Sequence, residues 1–286
     1  MNESILITGA NIGLGKETAR QLALKKETKK VILFCRNQAK AEEAKKDLEE
    51  KTEKKIFEII IGDVSDANSV RKAVEKIKEP IDAVILNAGG MVGKTAGRAT
   101  PSGMNELAAT NILGHVILVD ELIKSEKLKK TVLSISAEAV PGVKLLGMKP
   151  VSMKTSSVDD FAAVLDGSYF GDKFDVTQAY GYVKYVATMW TLSMARKYPE
   201  LKFVVMSPGN TKGTLAPDNL PPAMRFMLKN FMMPVVFPLI GGMVHKLEVG
   251  AKRFVDAISD ERYKSGIFYA SKQGKLSGDV VDQSTF

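Results

Sequence analysis

Tyr180 and Lys184, in the run Tyr180-Gly-Tyr-Val-Lys184, are spaced to lie on one face of a helix. A phenol titrates at about 10, so it is a poor acid or base at neutral pH. A neighbouring ammonium stabilises the phenolate and lowers that value. On an ordinary helix the same spacing places the tyrosine in the core and the lysine in water, so its meaning depends on its surroundings. Near the start of the chain, Thr8–Ala19 reads TGANIGLGKETA, with Gly9, Gly13 and Gly15 between an apolar run and a helical pattern. Glycines let a backbone turn tightly and approach a pyrophosphate, while a helix N-terminus offers N–H groups and the positive end of its dipole. A plain strand-to-helix turn is the alternative, but the context favours a dinucleotide held by Gly9, Asn11, Ile12, Gly13, Leu14 and Gly15.

Other apolar runs also end in pointed chemistry. Dinucleotide enzymes that prefer NAD place an acid after the second strand, where it bonds the ribose 2′-hydroxyl. Here Cys35-Arg36-Asn37 puts a guanidinium in that place, which suits a 2′-phosphate and so NADP. The alternative is a solvated arginine at a strand end, and Lys16 either adds to the positive field or points to water. After the third run, Gly62-Asp63-Val64 offers a carboxylate to an adenine amino group, with a helix N-cap near Asp66 as the competing use. After the fourth, Asn87-Ala88-Gly89-Gly90 is a small-residue turn on which a ribose could pack.

The elements that must position these residues alternate along the chain. Strands are expected at Ser4–Thr8, Val31–Cys35, Ile56–Ile61, Ala83–Leu86, Thr131–Ile135, Lys202–Met206 and Ile267–Tyr269. Helical periodicity marks Leu14–Lys26, Gln38–Lys51, Ala67–Lys78, Ser102–Glu126 and Thr177–Tyr198. Continuous apolar strands separated by amphipathic helices imply an α/β fold: a doubly wound parallel sheet (Rossmann fold) of about seven strands with helices on both faces. No linker or repeat interrupts residues 1–286, so one domain is expected. It carries an insertion at about 138–176, with local helix at Val158–Leu165, and a Met- and Phe-rich segment at about 217–246. That segment is expected to be a lid over a lipophilic substrate, an ordinary core helix pair being the alternative.

Several function classes are set aside. The net charge of +8 is spread among mixed stretches such as Lys40–Lys55, which reads as a solvated helix face with i,i+4 ion pairs, so no nucleic-acid partner is expected. Asn230–Val244 has no charged residue, but a spanning helix needs about 20 apolar residues and this run holds two prolines. The single cysteine, Cys35, cannot form an internal disulfide, and Met-Asn-Glu before the first strand is not a basic leader. A reducing, cytoplasmic setting is expected. No residue cluster suggests a metal, His115 reads as a core residue, and the final GDVVDQSTF reads as a polar tail without chemistry.

In combination, TGANIGLG, Asn87-Ala88-Gly89, TNILGH at Thr110–His115, Tyr180 with Lys184, and SPGNTKGT at Ser207–Thr214 resemble the short-chain dehydrogenase/reductase family over nearly the whole chain. The pattern is most similar to the branch of retinol dehydrogenases and light-dependent protochlorophyllide reductase, which mostly uses NADP and lipophilic substrates. The resemblance implies that Tyr180 is the general acid/base and that Lys184 binds the nicotinamide ribose and lowers the Tyr180 pKa. It further implies that Asn111 holds a proton-relay water and that Pro208, Gly209 and Thr211 line the nicotinamide pocket. Asp63, Val64, Asn87, Ala88 and Gly89 join the cofactor site. The family usually ends its fifth strand in a Ser-Ser pair, whose second serine bonds the substrate oxygen. Here Ser134-Ile-Ser136-Ala137-Glu138 puts Ala137 in that place, and either Ser136 substitutes through a shifted strand end or the function is impaired. Family members with such an insertion often shield the helix face used for dimerisation, so a monomer or weak homodimer is expected. The implied activity is NADP-dependent hydride transfer between the cofactor and the carbonyl or alcohol of a lipophilic small molecule. The alternative is a dinucleotide-binding sensor or scaffold with little turnover.

Overall fold

The computed structural model describes residues 2–142, 149–172, 174–212, 226, 230, 244–272 and 275–285. Strands and helices alternate from the start: β1 (Ser4–Thr8), α1 (Gly13–Ala23), β2 (Lys30–Cys35), α2 (Gln38–Thr52), β3 (Phe57–Ile61), α3 (Ala67–Glu75) and β4 (Ile81–Leu86). A composite helix follows: α4 (Glu106–Ala108), a π-helical turn (Ala109–Leu113) and α5 (Gly114–Lys124). Then come β5 (Leu128–Ile135), α6 (Val158–Asp166), α7 (Val176–Lys197), β6 (Lys202–Met206), α8 (Leu247–Ser259), β7 (Ile267–Ser271) and β8 (Val280–Asp282).

The strands form one sheet in the order β3-β2-β1-β4-β5-β6-β7-β8. Every pairing is parallel except the last, β7 with β8. Successive side chains of a strand point to opposite faces, so each apolar run fills two cores. Ile5, Ile7, Leu33, Ile85 and Val204 pack with Leu22 of α1, Leu48 of α2 and Phe254 of α8. Leu6, Ile32, Phe34, Val84 and Phe203 face the other way, onto Val70 of α3, Leu118 of α5 and Met194 of α7. This is the doubly wound arrangement, with helices on both faces of a mostly parallel sheet. The insertion builds a third cluster, in which Phe161 and Val164 of α6 meet Val183 of α7 together with Tyr169, Phe170 and Phe174.

The differences from expectation have local causes. The sheet has eight strands rather than about seven, because the expected polar tail contains β8, paired through Ala270↔Val281. Helix α8 is not among the expected elements, although its buried Gly250, Ala251, Phe254, Val255 and Ile258 recur at helical spacing. The expected helix over Ser102–Glu126 begins later, at Glu106, where the side chain of Asn105 accepts from Ala108 N. The expected lid at 217–246 lies outside the described residues apart from Phe226, Asn230 and residues 244–246. Among the described residues no helix is long and apolar enough to cross a membrane.

Gly114 sits where α5 crosses the loop after β3. A Cβ there would collide with the backbone of Val64. Backbone cannot swing away as a side-chain tip can, so Gly114→Ala is expected to cost about 1–3 kcal/mol, as overpacking does. The measurement is the denaturant midpoint of unfolding at unchanged m-value.

Candidate functional site

The strand order reverses between β1 and β4, and a cleft of about 1060 Å³ opens there beyond the carboxyl ends of the strands. The glycine turn forms one wall. Gly9 (φ +68°) and Gly13 (φ +57°) hold left-handed backbone, and a Cβ on Gly13 would meet nothing within 4 Å, so this turn faces open space. Helices α2, α3, α6 and α7 are capped by the side chains of Asn37, Asp66, Ser157 and Asp175, whereas α1, like α8, has no side-chain cap. Its first N–H groups therefore remain available to an anion, and the fit to a pyrophosphate is good.

Arg36 stands at the cleft edge with its side chain 78% exposed, its guanidinium 3.7 Å from the Asp63 carboxylate. Asp66 is the residue that caps α3, accepting from Asn68 N and Ser69 N, which leaves Asp63 facing the cleft. There its Oδ1 accepts from the N–H and hydroxyl of Ser65, at 2.9 and 2.7 Å. Lys16 is paired with Asp47 at 2.9 Å rather than directed at the cleft or free in water.

The turn after β4 is tied to β1 from two sides. Asn87 Nδ2 donates to Thr8 O at 2.9 Å, and Ala88 N donates to Thr8 Oγ1 at 2.9 Å. The same hydroxyl lies 3.0 Å from Nε2 of the buried His115. Burial, aided by the charge of Lys184, pushes His115 down to about 3, so the ring is neutral. It is a satisfied core residue, bonded also to the backbone of Asn111. Asn111 itself lies in the π-helical turn, with Nδ2 donating to Gly90 O (2.9 Å) and Leu107 O (2.8 Å) and Oδ1 accepting from Gly90 N (3.0 Å). Its side chain braces the turn that carries Gly89 and Gly90.

Tyr180 and Lys184 line the opposite wall from α7, with the Lys184 ammonium 5.7 Å from the Tyr180 ring centre. Lys184 is 4% exposed and donates to Ile135 O at 3.0 Å. Burial pushes it down to about 8 and pushes the Tyr180 phenol up to about 12, so desolvation outweighs the lowering expected from the lysine. At neutral pH the phenol is a proton donor. Ser136, 3% exposed, and Ala137 both line the cleft, and the Ser136 hydroxyl shares a hydrogen bond with Thr188 of α7 at 2.9 Å.

Pro208, Gly209 and Thr211 line the cleft after β6, as does Leu276, which is not among the expected site residues. Four residues that support this loop lie outside the expected site. His245 donates from Nε2 to Pro208 O at 2.7 Å and lies 3.0 Å from Thr211 Oγ1. Arg253, Glu138 and Ser271 form a buried group behind it. Arg253 falls on the buried face of α8, and an arginine at that helical phase was the available signal. Among the described residues, no group of three or more His, Cys, Asp and Glu could hold a metal.

Comparisons with known proteins agree with this geometry. The family model for short chain dehydrogenase matches residues 3–140. The dehydrogenase/reductase SDR family member 12 of Bos taurus is 30% identical over 72% of this chain, which spans 60% of that protein. The chloroplastic protochlorophyllide reductase of Daucus carota is 29% identical over 98% of the chain and 74% of its own length, which places the likeness on the expected branch. In structure, an NADPH-bound carbonyl reductase from chicken fatty liver superposes with a TM-score of 0.61 at 19% identity, covering 93% of this chain and 95% of the other. At that identity the likeness concerns the fold. An uncapped glycine turn at the switch point, a helix carrying Tyr180 and Lys184 across from it, and a sequence match over both make this chain a member of the short-chain dehydrogenase/reductase family.

Proposed function

We propose that the chain is an NADP-dependent oxidoreductase that moves a hydride between the cofactor and the carbonyl or alcohol of a lipophilic small molecule. The observation that carries this reading is the convergence of three groups on one cleft: the uncapped α1 N-terminus, Arg36, and the Tyr180–Lys184 pair. The cofactor's pyrophosphate rests on Gly9 and the Asn11–Gly15 turn. Arg36 takes the 2′-phosphate, Asp63 and Val64 flank the adenine, and Asn87, Ala88 and Gly89 flank the ribose. Pro208, Gly209 and Thr211 hold the nicotinamide, which when bound supplies the hydride in the reductive direction.

Tyr180 delivers the proton to the carbonyl oxygen as the hydride reaches the carbon, and burial keeps that proton in place at neutral pH. In the oxidative direction the Tyr180 phenolate must form, and Lys184, together with the positive charge an oxidised nicotinamide would supply, would favour it. Lys184 binds the ribose, and Asn111, fixed on Gly90, anchors the relay side of the site. Ser136 spends its hydroxyl on Thr188, so the substrate oxygen lacks the usual serine donor and Tyr180 bears more of the polarisation. The sensor reading rests on that same lack of a donor at Ala137.

One domain over residues 1–286 remains the organisation we infer, in a cytoplasmic setting. A monomer or weak homodimer is supported by the insertion, whose Phe161 stacks on Tyr185 at 6.3 Å and whose Phe170 meets Tyr182 at 5.6 Å, covering one face of α7.

Four substitutions test the reading. Tyr180→Phe removes one hydroxyl and is expected to cut NADPH-dependent carbonyl reduction about 10²–10⁴-fold while cofactor affinity holds. An unchanged rate with a confirmed substrate would refute the mechanism. Arg36→Ala is expected to weaken NADP(H) binding roughly 10- to 100-fold, the worth of a charge-assisted contact, and to leave NAD(H) nearly unaffected; titration calorimetry with both cofactors decides it. Ala137→Ser is expected to raise turnover by restoring a donor, whereas Ser136→Ala, which loses only the bond to Thr188, changes turnover little. The reverse order of effects would assign the donor to Ser136.

A further inference from the structure

The loop after β6 is held by an arrangement that the proposed chemistry does not use. Arg253 of α8 is 4% exposed and reaches four partners on four different segments. Its NH1 donates to Ser207 O at 3.1 Å and lies 3.5 Å from Glu138 Oε1. Its NH2 donates to Ser271 Oγ at 3.0 Å and to Gly278 O at 2.8 Å. Glu138, 7% exposed and adjacent to Ala137, accepts at the same Oε1 from the N–H and hydroxyl of Ser271 at 3.0 and 2.9 Å. The guanidinium thus joins the end of β5, the start of the Ser207–Thr211 loop, the end of β7 and the approach to β8.

The loop is clamped at its other end as well. Asn210 N donates to Leu276 O at 2.6 Å, and His245 closes over Pro208. Gly209, with φ +73°, fits between them: a Cβ there would stand 2.8 Å from His245 Cε1, 2.9 Å from Arg253 NH1 and 2.9 Å from Leu276 O. Only glycine fits this position, and the clamp encloses the backbone of the loop at both ends.

We propose that Arg253 is the positioning residue for the nicotinamide half of the cofactor, acting through the Ser207–Thr211 loop and holding the 276–278 segment against it. The inference rests on the cofactor placement of the proposed function. A planar fork with several fixed donors can join four acceptors, which a lysine ammonium in the same volume cannot. Loss of the fork frees the loop but leaves the glycine turn and Arg36, at the other end of the cleft, untouched.

The test compares NADPH with 2′,5′-ADP, which carries the 2′-phosphate and adenosine but no nicotinamide. The full-length chain and its Arg253→Lys and Ser271→Ala variants are titrated with both ligands by calorimetry, with circular dichroism as the check on folding. Arg253→Lys is expected to weaken NADPH about tenfold or more, as loss of charge-assisted bonds does, and 2′,5′-ADP by less than about twofold. Ser271→Ala, which keeps the ion pair, gives a smaller loss with the same ligand selectivity and serves if Arg253→Lys does not fold. Equal losses for both ligands, or no loss for either, would overturn the proposal. A parent protein that binds NADPH no tighter than 2′,5′-ADP would overturn it too, with the cofactor site itself intact. If the parent binds neither, the proposed function falls and this inference with it.

Discussion

At the carboxyl end of the seam between β1 and β4, one threonine hydroxyl and one asparagine amide join the two strands, and the walls of the cleft take their positions from that join. Thr8 Oγ1 accepts from Ala88 N and meets His115, while Asn87 reaches back to Thr8 O. A parallel sheet leaves the two strands free to diverge there, because their following segments leave in opposite directions. Side-chain bonds replace the ladder at the point where the ladder stops. The neutral His115 ring continues the chain of contacts into the π-helical turn, and Asn111 returns it to Gly90. Burial disfavours the protonated form of the ring.

Two buried cations flank the cleft, and they are treated in opposite ways. Arg253 is paired with Glu138 and surrounded by acceptors, so its charge is fixed and its role is geometric. Among the described residues Lys184 has one hydrogen-bond acceptor, Ile135 O, and burial pushes its ammonium down to about 8. A buried charge without a counter-ion costs free energy that a structural lysine has no reason to carry.

Legibility followed locality. β1 and β6 are bounded in the sequence as they are in space, since each is a short apolar run flanked by polar residues. The glycine turn and Arg36 were readable as local patterns at the ends of such runs, and the Tyr180–Lys184 spacing as a local helical period within α7. β8 was not, being three residues long and half-exposed, with its reason to be extended lying in β7. The bond between Glu138 and Ser271 spans 133 residues, a separation at which no periodicity operates. The direction of the Ser136 hydroxyl likewise depended on Thr188, a residue of another element.

The antiparallel β8 has a meaning for solution behaviour. Without it β7 would be the rim of the sheet, a run of Ile267, Phe268 and Tyr269 with a free row of N–H and C=O groups ready to template another chain. With it the rim is a three-residue strand whose last position is the exposed Asp282. A short, acid-tipped rim offers little length for a foreign strand to zip onto. The short strand thus covers the edge of β7, while β3 forms the opposite rim of the sheet.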